Sequence, residues 1–387
     1  MIPNPAHPAT ATAADGRPER PAPTGRWGRR SLIAGLALLL GLSFTPSPYV
    51  IRQPGPAFNA LSTAEVRDED GERTEVDVIT IDGAESYDAD GALTVMTVNI
   101  AGNPEHRPSW FELATSYLVP SRDVLPMEVY YPPGQTAQER SAENAELMTH
   151  SQGTAVAAAL RHLGHEVGVE LVVADVPADS PSAGILEVGD VLLRYGDDPV
   201  TDLASIRAIE LPTAPIDIAF RRDGEERVES ITPRLTATPD GDRALLGVTV
   251  REDLSLPFDV DIELGDVGGP SAGMMFALAI VDKLEPGDLT GGLVVAGSGS
   301  IGVDGEIGPI GGIRQKLFAA VEIGADYFLA DEANCAEALA GGVPGELPVY
   351  AVDDLAEAIA VVEANASGDA DGLRTCADAL AANAPQA

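Results

Sequence analysis

Ser271 stands where a run of small residues, Gly268, Gly269 and Pro270, gives way to Ala272, Gly273 and the apolar stretch MMFALAIV. That pattern predicts a glycine-rich turn followed by a helix opening at Pro270 or Ser271, since proline suits a first helical turn where its missing N–H is not needed. A serine there sits at the positive end of the helix dipole, and free backbone N–H groups can stabilise its alkoxide and a neighbouring oxyanion. The neighbouring glycines let a substrate approach closely. The bland alternative is an N-capping serine after a tight turn.

A nucleophilic serine needs a base. The five histidines, His7, His106, His150, His162 and His165, all lie far upstream of it in the chain. Lysine is scarce: only Lys283 and Lys316 occur among 24 basic residues. Around Lys316 the text DGEIGPIGGIRQKLFAAVEIGAD predicts a helix starting near Gly312, with Ile313, Lys316, Leu317, Ala320 and Val321 on one face and Arg314 and Gln315 on the outer side. An amine in apolar company loses part of the solvation that favours its charge, and a fall of roughly 2 to 4 pKa units would let it act near neutral pH. Such a lysine could take the proton of Ser271 during acyl transfer and return it to the leaving amine, as a Ser/Lys dyad.

The segments G-P-S-A-G at 269–273 and P-I-G-G-I-R-Q-K-L at 309–317 resemble the two signatures of Lon-type peptidases. The resemblance is nearest to the membrane-anchored, PDZ-containing YlbL type and covers the chain from about Leu32 to Val362. It implies Ser271 as nucleophile, flanked by Gly269 and Pro270, and Lys316 as general base, with Arg314 outside the chemistry. The threonine of a T-G-E-I segment, whose hydroxyl supports the lysine in such domains, is replaced by Ser298 in S-G-S-I. Gly268 departs from the pattern, because ATP-dependent relatives commonly carry an acid three places before the serine. The resemblance also implies a homo-oligomer, with hexameric rings frequent in the family.

Other chemistries find little support. Neither lysine is followed by Ser or Thr, so a P-loop and ATP-driven unfolding are excluded. No H-E-x-x-H or comparable cluster suggests a metal, and no cofactor is expected. With 61 acids against 24 bases and a net charge of -37, nucleic acid is not a partner. Polypeptides that are flexible or already unfolded are the expected substrates.

The N-terminus sets the compartment. Residues 1–30 read as a disordered, arginine-bearing tail, and SLIAGLALLLGLSF after Arg29 and Arg30 opens an uncharged run to Ile51, read as a membrane anchor over 31–51. The arginine asymmetry places the N-terminus in the cytoplasm and the rest outside the cell. A cleaved signal peptide is the competing reading, although no A-x-A site follows. Outside the cytoplasm, Cys335 and Cys376 are expected to form a disulfide that ties the tail after Ala366 to the catalytic domain.

Between anchor and serine the chain alternates strands and helices. Short β-branched runs at 77–81 and 92–100 predict strands, and SAENAELMTHSQGTAVAAALRHLG predicts an amphipathic helix ending at Gly164, with Leu147, Ser151, Ala155, Ala158 and Leu163 at helical spacing. The following segment resembles a PDZ domain over 164–235 through Ser180, Pro181, Ala183 and Gly184, then Val188 to Leu192, then Val200 and a short helix. In that family an added peptide strand has its carboxylate held by a backbone loop, and the loop would fall at Val167, Gly168 and Val169. The expected fold is therefore an α/β (α+β) Lon-type proteolytic domain, residues 75–163 and 236–365, interrupted by a small β-rich PDZ domain and preceded by one transmembrane helix. The rival function is a PDZ-based membrane adaptor with an inactive Lon-like domain.

Overall fold

The computed structural model describes residues 24–67, 73–238, 241–265 and 267–382. In chain order the elements used below are helix α1 (Thr24–Phe44), strands β1 (Tyr49–Asn59) and β2 (Ala92–Ala101), helix α2 (Trp110–Ser116), strand β3 (Asp123–Pro126) and helix α3 (Ala137–His162). A β-rich insertion follows, with β4 (Gly168–Asp175), β5 (Val191–Tyr195), α4 (Leu203–Ala208), β6 (Ile216–Arg222), β7 (Glu225–Ile231) and β8 (Thr249–Ser255). The chain then returns through α5 (Gly273–Leu284), β9 (Val294–Ser298), α6 (Ile313–Glu322), β10 (Tyr327–Asp331), α7 (Cys335–Leu339), β11 (Val349–Val352), α8 (Leu355–Ser367) and α9 (Cys376–Ala382).

The main sheet runs β11-β10-β9-β2-β1-β3. Strands β2, β9, β10 and β11 are parallel neighbours, whereas β1 is antiparallel to β2 and β3. Burial on both faces explains the apolar text of β10 as far as Ala330 and of β11, all of whose residues are buried. Helix α5 is buried from Gly273 to Asp282, as its all-round apolar sequence requires. It packs against α3, β2, β9 and α8. The core around it draws on residues 60–160 and again on 262–362, so the mixed α/β unit is discontinuous in sequence. Its two parts also meet where Ile79–Asp82 pairs antiparallel with Asp259–Ile262.

The insertion has its own core, built on Leu171, Val173, Leu192, Ile218, Phe220 and Ile231. Its antiparallel sheet runs β7-β6-β5-β4-β8, and Asp190, almost fully buried, is held by Arg222 at 2.7 Å through both carboxylate oxygens. The sheet takes in Thr249–Ser255, well past residue 235, because β8 pairs with β4 from Thr249↔Asp175 to Ser255↔Gly168. This pairing changes the reading of Val167, Gly168 and Val169. Gly168 and Val169 open a strand and pair with Ser255 and Leu254 of β8, β5 joins β4 only at Leu171 and Val172, and Val167 packs on the main core. The free edge of the sheet on this side belongs to β8.

At the N-terminus, α1 ends at Phe44 and Tyr49–Ile51 already belong to β1, so the outer end of the expected 31–51 span is strand. Among the described residues no helix is long and apolar enough to cross a membrane. The expected disordered tail lies outside the described residues as far as residue 23. At the other terminus the segment after Ala366 carries α9, and Cys335 is bonded to Cys376 with their Cα atoms 5.0 Å apart.

Candidate active site

The residues 45 positions apart that the sequence singles out meet directly: Lys316 Nζ lies 2.7 Å from Ser271 Oγ. Ser271 belongs to a short 3-10 turn, Pro270–Ala272, that leads into α5. No side chain caps α5, whose N-cap is Ala272, so the capping role for Ser271 is not realised. The turn is pinned from α3 at two points. Gly269 N–H donates to Asn144 O at 2.9 Å, and Ser151 Oγ donates to Pro270 O at 3.1 Å. Gly269 has φ of 97°, which favours glycine, and a Cβ on Gly268 would come within 2.9 Å of Asn144 Cβ. The missing acid at 268 thus has a steric cause: α3 occupies the space.

Lys316 comes from α6, which begins at Ile313 beside the expected Gly312. The amine is 1% exposed, and burial lowers its pKa to about 7. Ile313, Leu317 and Ala320 are buried with it, but two expectations for this helix fail. Gln315 is fully buried rather than outward, and Val321 is 36% exposed. Gln315 Nε2 donates to Asp123 Oδ2 at 2.8 Å, and Arg52 Nη2 donates to the same oxygen at 2.8 Å. This polar tie fastens α6 to β1 and β3, so the helix has a polar as well as an apolar contact with the sheet. Arg314 lies over Phe318 and donates to Ala340 O, away from the serine.

Ser298, at the end of β9, completes the group. Its Oγ accepts from Lys316 Nζ at 2.7 Å and donates to Ser271 O at 2.8 Å. The hydroxyl proton of Ser298 is committed to that carbonyl, so its oxygen offers the lysine only an acceptor. The lysine lone pair is then free for the proton of Ser271. A further support was not legible in the chain. Asn334, buried ahead of α7, accepts from Ile310 N–H at 2.9 Å and donates to Ile310 O at 2.8 Å, fixing the loop before α6. No periodicity marks Asn334 or Gln315, since their partners lie on distant elements.

The dyad opens on a cavity of about 360 Å³ lined by β2 residues Val95–Asn99, by Tyr130, Arg140 and Asn144, and by the 267–272 turn. A larger cavity of about 840 Å³ lies on the other side of Pro270, between α3, the 300–309 loop and the inserted domain at Leu203 and Glu252. It is lined by neither Ser271 nor Lys316, though His150 faces it. Among the described residues no group of three His, Cys, Asp or Glu is placed to hold a metal ion.

No curated protein matches the chain. Similar solved structures include the PDZ domain of an SdrC-like protein from Listeria innocua, 20% identical over 21% of this chain and 92% of that one, with a TM-score of 0.19. The PDZ domain of an SdrC-like protein from Listeria monocytogenes is likewise 20% identical over 21% of this chain and 86% of that one, with a TM-score of 0.19. Residues 264–363 match the family model described as Lon protease (S16) C-terminal proteolytic domain, and the interval contains Ser271, Ser298 and Lys316. The chain therefore carries a Lon protease (S16) C-terminal proteolytic domain.

Proposed function

We propose that this protein is an ATP-independent serine endopeptidase in which Ser271 is the nucleophile and Lys316 the general base and acid. The observation that carries the reading is the buried amine within hydrogen-bond reach of two hydroxyls, one of which is committed elsewhere. Neutral Lys316 accepts the Ser271 proton as Oγ attacks the scissile carbonyl carbon, forming the C–O bond of the tetrahedral intermediate. The resulting ammonium then protonates the leaving nitrogen as the C–N bond breaks, leaving an acyl-Ser271 ester. Water enters by the same route: Lys316 takes its proton as hydroxide adds to the ester carbon, the C–Oγ bond breaks to release the acid product, and the proton returns to Ser271 Oγ. Ser298 holds the amine in register through both halves.

The inserted domain is read as a PDZ-type peptide binder. A peptide strand would add to the outer edge of β8, beside α4, rather than to β4. Association with the membrane through α1 completes the proposal. Residues 28–41 of α1 are all exposed, which suits an apolar helix surrounded by lipid. Trp110, Phe111, Tyr117 and Leu118 are also exposed at its base, where Trp110 N–H donates to Thr45 O. Substrates are flexible or unfolded polypeptides outside the cytoplasm.

The direct test follows digestion of a casein-like unfolded protein by the full chain and by its Ser271→Ala form. Loss of digestion in the variant supports the dyad. Equal digestion by both, or none by either, would sink it and favour a binding role for the inserted domain.

A further inference from the structure

We infer that Arg140 is a specificity-determining residue that selects substrates bearing a carboxylate close to the scissile bond, an inference that rests on the endopeptidase reading of the same cavity. Arg140 lines the cavity that holds Ser271 and Lys316. Among the described lining residues it is the only permanently charged one, and none is a carboxylate. Lys316, the other cation, is about half discharged at neutral pH because burial lowers its pKa to about 7.

The guanidinium is held in place before any substrate arrives. Its Cζ sits 5.1 Å from the centre of the Tyr130 ring, and Nη1 donates to Glu143 at 3.0 Å. Glu143 is itself steadied by Gln135 Nε2 at 3.0 Å. Only 25% of the Arg140 side chain is exposed, and its Nε is buried without a hydrogen-bond partner. Nη1 is thus engaged by Glu143 and Nε is buried, which leaves Nη2, with no hydrogen bond among the described residues, to meet an anion by a single charge-assisted bond.

The pair with Glu143, three residues on, accounts for only part of this placement. Arg140 lies in the first turn of α3, where the macrodipole disfavours a cation. Nor does the net charge of -37 forbid an acidic substrate, since exposed charges are screened beyond about 8 Å at physiological salt. Arg140 is the permanent charge that lines the groove, and its ion-pair partner Glu143 stands outside the lining.

Binding is measured to the full chain carrying Ser271→Ala, using fluorescent peptides that are identical except for Glu or Gln at the positions flanking the cleaved bond. Each is made with an amidated and with a free C-terminus, which separates a side-chain carboxylate from a terminal one. The Glu peptide, or the Gln peptide with a free terminus, is expected to bind about tenfold tighter than the amidated Gln peptide. Adding Arg140→Gln should bring that ratio to about one, and Arg140→Glu should turn the preference toward Lys and Arg peptides. A shared affinity for all four peptides overturns the inference, as does a preference that survives Arg140→Gln. Hydrolysis by the unmodified chain is scored separately. If it fails while the Arg140-dependent preference stands, the endopeptidase reading falls and the carboxylate site remains.

Discussion

At the scale of single residues, the proposed chemistry turns on the proton of Lys316. With the amine lowered to about 7 by burial, kcat/KM should rise about tenfold per pH unit up to that value and level off above it. The same shift sets a stability signature. The unfolded chain keeps this proton up to about pH 10.5, whereas the folded chain releases it near 7, so between those values the unfolded state binds more protons and stability rises with pH. Below about pH 7 both states are charged and the cost of burying the ammonium is felt in full, on the order of 3 to 5 kcal/mol. Lys316→Met should therefore abolish hydrolysis, flatten this pH dependence in urea titrations and leave the protein as stable or more stable at pH 7. A large stability loss would mark a structural lysine. Ser298→Ala should cut kcat by at least about tenfold, with Ser298→Thr restoring most of it, because only the hydroxyl is needed to orient the amine. Ser271 and Lys316 were legible in the chain by their types and surroundings. Gln315 was misplaced, because a period of 3.6 separates buried from exposed faces only when one side is covered, and α6 is also tied to the sheet at Asp123.

At the scale of elements, the nucleophile turn depends on α3 and the lysine helix on the loop that Asn334 holds. An acid at position 268 would drive its Cβ into Asn144, so Gly268→Asp should destabilise by roughly 1 to 3 kcal/mol and lower kcat by shifting the Ser271 turn. Thermal unfolding alongside kinetics checks both effects. Asn334→Ala leaves the Ile310 N–H and C=O without their partner, with an expected cost of about 1 to 3 kcal/mol. The helices α3, α5 and α6 were each visible as apolar periodicity followed or preceded by glycine. Their true lengths were not, and α3 starts at Ala137, ahead of its apolar stripe, where Thr136 and Glu139 form a capping box.

At the scale of the molecule, the inserted domain leaves and rejoins the main fold at adjacent points. Gly168 is paired with Ser255, so replacing residues 168–255 by a short Gly/Ser linker should preserve a folded, disulfide-bonded catalytic unit. A fragment starting at residue 236 should instead fail to fold, because β1, β2 and α3 supply much of its core. Cooperative unfolding of the first and its absence in the second would be read by calorimetry. The Cys335–Cys376 bond closes a loop of 41 residues, so the double variant Cys335→Ala/Cys376→Ala should lose up to about 4 kcal/mol. Both sulfurs are fully buried, which makes reduction dependent on prior unfolding.

The sequence by itself singled out Ser271 and Lys316, since a serine at a helix opening and a lysine among apolar residues are local patterns that short-range periodicity exposes. It also determined the division into two cores and the match of the two cysteines. What only the tertiary structure decided are relations between distant segments. The β8 strand closes the inserted sheet and pairs with Gly168 and Val169, which the sequence alone places in a carboxylate-binding loop. Arg140, 131 positions before Ser271 in the chain, enters the same cavity because α3 crosses the nucleophile turn. Strand pairing and cavity walls depend on which backbones come to lie within a few ångströms of each other, and no local period in the chain encodes that.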